Sequence, residues 1–129
     1  PMIVPMSSVA GWSVSSRDPD PRGMTVVGLD GAQAGTVREL WVDKSEPQIR
    51  YLEVDLSSGG RAVLLPAGFV RYDVKRRLVK VASITAAQFT GVPGIAGGGQ
   101  VTKLEEDRIM AYFGSGHLYA IPSRMESVV

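Results

Sequence analysis

The stretch from Gly31 to Leu56 constrains the fold more than any other part of the chain. It holds two runs of strand-forming residues, 36–42 and 48–56, separated by the polar corner 43–47. An Asp-Gly turn signal at positions 30 and 31 precedes the first run. β-Branched and aromatic residues bounded by Gly, Asp and Pro are typical of a strand–turn–strand unit. The stretch therefore predicts a hairpin at the centre of the domain.

The second strand of this hairpin alternates between apolar and polar positions. One face carries Leu52, Val54 and Leu56, and the other carries Tyr51, Glu53 and Asp55. A period of two with one apolar face is typical of a half-buried antiparallel strand. We therefore expect this strand to pack one side on the core.

The rest of the chain predicts further short strands, at 24–29, 61–65, 69–72 and 78–83. Turn residues recur every 8 to 12 positions, which favours a small, mainly β, antiparallel barrel over an alternating β–α fold. Residues 1–23 are rich in Pro, Ser and Asp and predict an extended lead-in with one short strand near 11–14. The barrel domain would then occupy residues 24–129.

Two capping-box patterns predict helical segments late in the chain. Thr102 and Glu105 have the right spacing to begin a helix of about 102–113, and Gly114 provides its expected end. Thr85 and Gln88 predict a single helical turn at 85–89. Leu118–Pro122 would add a last apolar segment packed on the core.

Composition excludes several classes of function. The chain has 129 residues, which fits one domain, and a net charge of +1, which disfavours a dedicated nucleic-acid surface. It has no cysteine and one histidine, so thiolate metal sites and a cysteine nucleophile are excluded. No apolar run reaches the roughly 20 residues that span a bilayer. The first residues lack an initiator Met and a signal-peptide pattern, so we expect a longer parent protein.

Short motifs are spread along almost the whole chain: DPRG (20–23), GTV (35–37), LWVD (40–43), RYLEV (50–54), LLP (64–66), SI (83–84), QF (88–89), VP (92–93), EED (105–107), AY (111–112), LYA (118–120) and ES (126–127). In this order they resemble the cytoplasmic domain of the H subunit of purple-bacterial photosynthetic reaction centres, a PRC-barrel family. It implies a PRC-type β-barrel with one C-terminal α-helix.

The resemblance also implies a function. Such a domain caps the L and M membrane subunits on the cytoplasmic face of the bacterial inner (intracytoplasmic) membrane. It binds no cofactor itself, whereas the partners hold bacteriochlorophyll, bacteriopheophytin, quinones and non-haem iron. It shields the quinone region and assists proton delivery to the reduced secondary quinone. A single N-terminal transmembrane helix would precede the present sequence. The expected class is a non-enzymatic subunit without a nucleic-acid partner.

The family's proton route falls on Asp43, Glu46 and Arg50 of this sequence. Partial burial and charge coupling would bring such carboxyl pKa values towards neutrality. The residues by themselves also fit a solvated hairpin corner with a weak ion pair. His117 stands where the family tends to have an apolar residue, and it receives no role.

Other residues are candidates for contact with a partner or a membrane. Trp41 and Tyr51 are expected to be core or interface anchors. The basic residues of the 69–83 region would form either a solvated hairpin tip or a surface for anionic lipid headgroups or acidic loops of the membrane partners. These basic residues are Arg71, Lys75, Arg76, Arg77 and Lys80.

The alternative function comes from a different class of protein. The domain could be a free adaptor like that of the ribosome maturation factor, which works with ribosomal protein and RNA. The balanced charge and the C-terminal helix favour the reaction-centre interpretation. A stand-alone hydrolase has little support, because the one histidine has no nucleophile-elbow motif near it.

Overall fold

One curled β-sheet and one α-helix make up the domain. The computed structural model describes residues 3–15, 19–46, 48–97 and 99–119, with side chains to 116. Within them the strands are β1 (Ile3–Pro5), β2 (Thr25–Val27), β3 (Gln33–Asp43), β4 (Gln48–Leu56), β5 (Ala62–Pro66), β6 (Val70–Asp73) and β7 (Leu78–Val81). The helix α1 spans Lys103–Tyr119. The expected mainly β fold with a C-terminal helix is confirmed.

The sheet has the order β5-β4-β3-β2-β7-β6, and β1 pairs with the C-terminal end of β3. Its long hairpin, β3–β4, is the unit predicted at 31–56, with Gly35 opposite Leu56 and Asp43 opposite Gln48. A side chain at Gly35 would overlap the carbonyl oxygen of Asp55, so glycine lets the two strands approach there. One pair departs from the antiparallel expectation, since β2 and β7 run parallel.

The lead-in differs from its prediction. Its strand lies at Ile3–Pro5, where Val4 pairs with Val42 of β3. The short strand predicted near 11–14 is wrong. Gly11 takes a left-handed turn, with φ of 81°, and residues 12–15 form no strand. Trp12 and Val14 instead pack as partly buried side chains against the core.

The core lies on both faces of the β3–β5 region. Leu52 and Val54 are fully buried, as the alternation predicts, and Leu56 is buried as well. Tyr51, on the opposite face of β4, is also buried, with 2% exposure. Its hydroxyl reaches helix α1, so a second layer covers this face. At Tyr51 the sheet is therefore buried on both faces, whereas the alternating pattern indicates burial on one face only.

Helix α1 begins as predicted but continues past its predicted end. Both halves of the capping box form: the Glu105 N–H donates to the Thr102 hydroxyl at 3.1 Å, and the Thr102 N–H donates to the Glu105 carboxylate at 2.9 Å. The helix then runs through Gly114 to Tyr119, so the end at Phe113 is corrected. A Cβ at Gly116 would overlap Ile84, so this glycine permits close packing and does not end the helix.

Phe113 anchors the helix to the barrel. It has no exposed surface and contacts Phe69 and Phe89, with ring centroids 5.7 and 5.9 Å away. The helical turn predicted at 85–89 is a 3₁₀ turn at Ala87–Gly91, and the Thr85 N–H donates to the Gln88 side chain at 2.8 Å. The segment predicted at 118–122 starts as helix at 118 and 119, and its remainder lies outside the described residues.

Candidate functional site

A β-bulge places Arg50 at the end of the central hairpin. Trp41 pairs with Tyr51, but the next pair is Val42 with Ile49, so Arg50 is the extra residue on β4. An extra residue bends the strand and re-aims its side chain. Arg50 is consequently not part of the regular strand pairing. It lies next to the polar corner that contains Asp43.

The Arg50 guanidinium lies between two carboxylates. One terminal nitrogen is 3.5 Å from Oδ2 of Asp43, and the other is 3.5 Å from Oε1 of Glu106 in helix α1. The Tyr51 hydroxyl donates to the same Glu106 oxygen at 2.9 Å. We call Asp43, Arg50, Tyr51 and Glu106 the Arg50 cluster. It joins the hairpin corner, the sheet and the helix.

Two groups of this cluster have shifted pKa values. The Ser45 hydroxyl and N–H donate to Asp43 Oδ1 at 2.6 and 2.8 Å, and these bonds, with the Arg50 charge, lower the pKa of Asp43 from its usual 3.8. Burial and the bond to Glu106 raise the pKa of Tyr51 above its usual 10.0. Near neutral pH, Asp43 is therefore a fixed anion and Tyr51 a neutral donor. The shift of Asp43 runs away from neutrality, opposite to the expected direction.

Glu46 is near the cluster in sequence but not part of its contacts. Its side chain is exposed, and its backbone N–H donates to the Asp43 carbonyl at 3.2 Å. Among the described residues, no side-chain hydrogen bond or ion pair joins Glu46 to Asp43 or Arg50. The structure thus brings together two of the three predicted route residues, and it adds Glu106 and Tyr51 to them.

Glu106, which the sequence analysis did not connect with Arg50, lies 56 positions away from it in the chain. The sequence carried one signal for it. Glu106 has the helical spacing that places it on one face with Ile109 and Phe113, both fully buried. A carboxylate on an inward helix face requires a donor or a cation. In the sequence analysis Glu106 stands out only as a member of the EED motif at 105–107.

A second arginine occupies a second bulge. The β3–β4 pairing shifts between Val37 and Glu39, so Arg38 is the extra residue on β3. Its Nε lies 3.1 Å from Glu53 and its Nη1 lies 3.1 Å from Asp55. The Trp41 indole N–H donates to the other Glu53 oxygen at 2.9 Å. We call Arg38, Trp41, Glu53 and Asp55 the Arg38 cluster, which sequence reasoning missed.

Trp41 and Tyr51 are core residues of this chain. Their exposures are 5% and 2%, so both rings are buried within the chain itself. Their polar atoms are directed to Glu53 and Glu106, respectively. This finding favours the core interpretation of the two aromatics. A cleft of about 330 Å³ beside Trp41 is lined by Arg38, Glu53 and residues of the 93–99 loop.

The basic residues predicted as a surface lie on the β6–β7 hairpin. Arg76 and Lys80 each lie 3.9 Å from Asp73, which is their shared carboxylate. Arg77 donates to the Arg22 carbonyl at 3.3 Å. Arg71 and Lys75 are exposed and have no ion pair within the described residues. This hairpin therefore carries a positive surface separate from the Arg50 cluster.

Two absences apply to the described ranges of the chain. No group of three or more His, Cys, Asp or Glu side chains there could hold a metal ion. No helix in the same ranges is long and apolar enough to cross a bilayer. The side chain of His117 lies outside the described residues.

Comparison with known protein families identifies the family of the barrel. The PRC-barrel domain family matches residues 14–88, more than half of the chain. The matched span includes β2 to β7 and the first two residues of the 3₁₀ turn, but not β1 or helix α1. Glu106 of the Arg50 cluster consequently lies beyond it. The chain belongs to the PRC-barrel family.

Proposed function

We propose that this PRC-barrel chain is the cytoplasmic domain of a reaction-centre H-type subunit. In this role it caps the L and M membrane subunits, stabilises the quinone region and assists proton delivery to the reduced secondary quinone. The Arg50 cluster carries the proposal. Two segments that resemble the H subunit, the hairpin with its corner and the start of helix α1, meet there in one network of titratable groups.

The chemistry of the cluster suggests separate roles for its carboxylates. Asp43, with its lowered pKa, supplies a permanent negative charge. Glu46 is the exposed carboxylate of the same corner. A membrane partner that covers this corner would remove Glu46 from water, and desolvation favours the uncharged form of a carboxyl group. Glu46 would then exchange protons in the field of Asp43 and Arg50.

The remaining parts of the proposal follow from the same resemblance. The chain has no catalytic activity of its own, and its work depends on bacteriochlorophyll, bacteriopheophytin, quinones and non-haem iron held by the partners. It acts at the cytoplasmic face of the bacterial inner membrane, anchored by a transmembrane helix of the parent protein. Anionic lipid headgroups are additional contacts for its basic hairpin.

The test uses the full-length parent subunit assembled in its reaction centre. Glu46→Gln should slow the second, proton-coupled electron transfer to the secondary quinone while assembly stays intact. Asp55→Asn, in the Arg38 cluster, is the matched control and should leave the rate unchanged, since it removes a carboxylate from a different network.

Two results would count against the proposal. If the rate of the second electron transfer is unchanged in Glu46→Gln at every pH, the corner has only a structural role. Failure of the parent to co-purify with two membrane subunits would reject the reaction-centre role. Binding to ribosomal particles that persists at moderate salt would instead favour the ribosome-maturation adaptor.

A further inference from the structure

In the part of the chain that the structure describes, strand β6 is an open edge of the sheet. It ends the strand order there and pairs with β7 alone, from Val70–Val81 to Asp73–Leu78. Within the described residues, no backbone hydrogen bond joins residues 71–73 to any segment other than β7. The outer N–H and C=O groups of such a strand are a template for another strand.

The two faces of this edge differ in chemistry. Tyr72 lines a cleft of about 610 Å³, whose other walls include the apolar side chains of Trp12, Val14 and Ile49. The Tyr72 side chain is 37% exposed at this cleft. Arg71 lies on the opposite face, where Lys80 is its cross-strand neighbour.

The charge on the second face is not neutralised within the hairpin. Residues 70–81 hold five basic side chains and one acidic side chain, Asp73. Asp73 already serves Arg76 and Lys80, both at 3.9 Å. Arg71 is exposed beside Lys80 without an ion pair in the part of the chain that the structure describes. Like charges directly opposite each other are unfavourable.

We propose that the β6 edge binds an extended segment of a partner protein in which acidic residues alternate with apolar ones. The segment adds a strand beside β6. Because side chains of a strand alternate between faces, its apolar residues enter the cleft beside Tyr72 and its acidic residues lie on the face of Arg71, with Lys80 one strand further away on β7. None of the residues that form this surface belongs to the Arg50 cluster.

Other occupants fit these features less well. A second copy of the chain paired through β6 would bring together two hairpins that each carry five basic side chains and one acidic side chain, and their net positive charges repel. A lipid surface would satisfy the charges but would supply no backbone partners for the edge. Basic residues on an edge strand can serve simply to prevent aggregation. The apolar cleft beside the edge distinguishes a binding site from that protective role.

The test is peptide binding measured by fluorescence anisotropy. The probe is a labelled heptapeptide that alternates glutamate with valine. It should bind, and a peptide with the same composition in two blocks, or with lysine in place of glutamate, should bind at least about tenfold more weakly because charge and register no longer match. Arg71→Glu should weaken binding of the alternating peptide. Lys103→Glu, the same charge change on helix α1, should not.

Backbone methylation of the probe tests strand addition directly. N-methyl groups on one alternate set of amides should abolish binding, and methylation of the other set should leave it intact, because only one set faces β6. Equal loss from both sets, or no binding of the alternating peptide, would overturn the proposal. So would Arg71-dependent binding of phosphatidylserine vesicles without peptide binding, which would make this surface a lipid contact.

Discussion

The two arginine clusters use the same local device and reach different parts of the molecule. Arg38 and Arg50 each occupy a β-bulge, each lies between two carboxylates, and in each case one carboxylate accepts a hydrogen bond from a buried aromatic side chain. The Arg38 cluster stays within the β3–β4 hairpin. The Arg50 cluster extends to helix α1, which lies beyond the matched PRC-barrel span.

Geometry and exposure also separate the clusters. Arg38 makes two contacts of 3.1 Å, but its side chain is 59% exposed. Arg50 makes two contacts of 3.5 Å, and its side chain is 41% exposed. The comparison shows that a bulge determines the position at which the arginine side chain leaves the strand. The neighbouring elements determine which carboxylates that side chain contacts. The Arg38 cluster is a property of the hairpin, and the Arg50 cluster is a property of helix docking.

The largest expected effect concerns the aromatic side chain that packs helix α1 onto the barrel. Phe113→Ala should lower the free energy of unfolding by about 3–5 kcal/mol, because it empties a buried site between Phe69 and Phe89. Urea denaturation measures the change. If the loss is smaller than that caused by Glu106→Gln, the polar cluster and not the apolar face holds the helix.

A matched pair of substitutions tests whether only the Arg50 cluster stabilises helix α1. Glu106→Gln and Glu53→Gln each keep an acceptor for the aromatic donor and remove the charge that faces arginine. Each should cost about 1 kcal/mol, the difference between a charged and a neutral hydrogen bond. Only Glu106→Gln should accelerate amide hydrogen exchange in helix α1. Equal acceleration by Glu53→Gln would show that the two clusters are coupled.

Arg38→Gln should have a smaller effect on stability. Its side chain is mostly exposed, and exposed ion pairs contribute about 0–1 kcal/mol that decreases with added salt. Thermal unfolding at low and high ionic strength measures this. A loss well above 1 kcal/mol that persists in high salt would mean that the Arg38 cluster organises the bulge itself.

The smallest effect concerns the titration of Asp43. Its folded pKa lies below the usual 3.8, so it stabilises the folded state above the unfolded pKa, and this contribution is lost as pH falls through the folded pKa. Hydrogen bonds from Ser45 are the largest cause. Ser45→Ala should therefore raise the pKa of Asp43, measured by NMR titration, more than Arg50→Gln does. The reverse order would make Arg50 the dominant partner.

Sequence patterns were sufficient for the hairpin and the helix start. Gly, Asp and Pro punctuate the strand runs, and the Thr102–Glu105 spacing forms the reciprocal cap that it predicts. These features depend on residues close together in the chain, which is why local patterns report them. The same patterns failed at Gly114, because the helix continues past this glycine, and the glycine that packs closely on a distant residue is Gly116, against Ile84.

The sequence by itself determined the class of fold, since a period of two and regularly spaced turns leave few arrangements besides a small barrel. The tertiary structure decided the contents of the candidate site. A bulge breaks the alternation at Arg50, and Glu106 arrives from 56 positions away when Phe113 packs between two other rings. Strand pattern is a local property of the chain, whereas the docking register of a helix depends on how distant surfaces fit together.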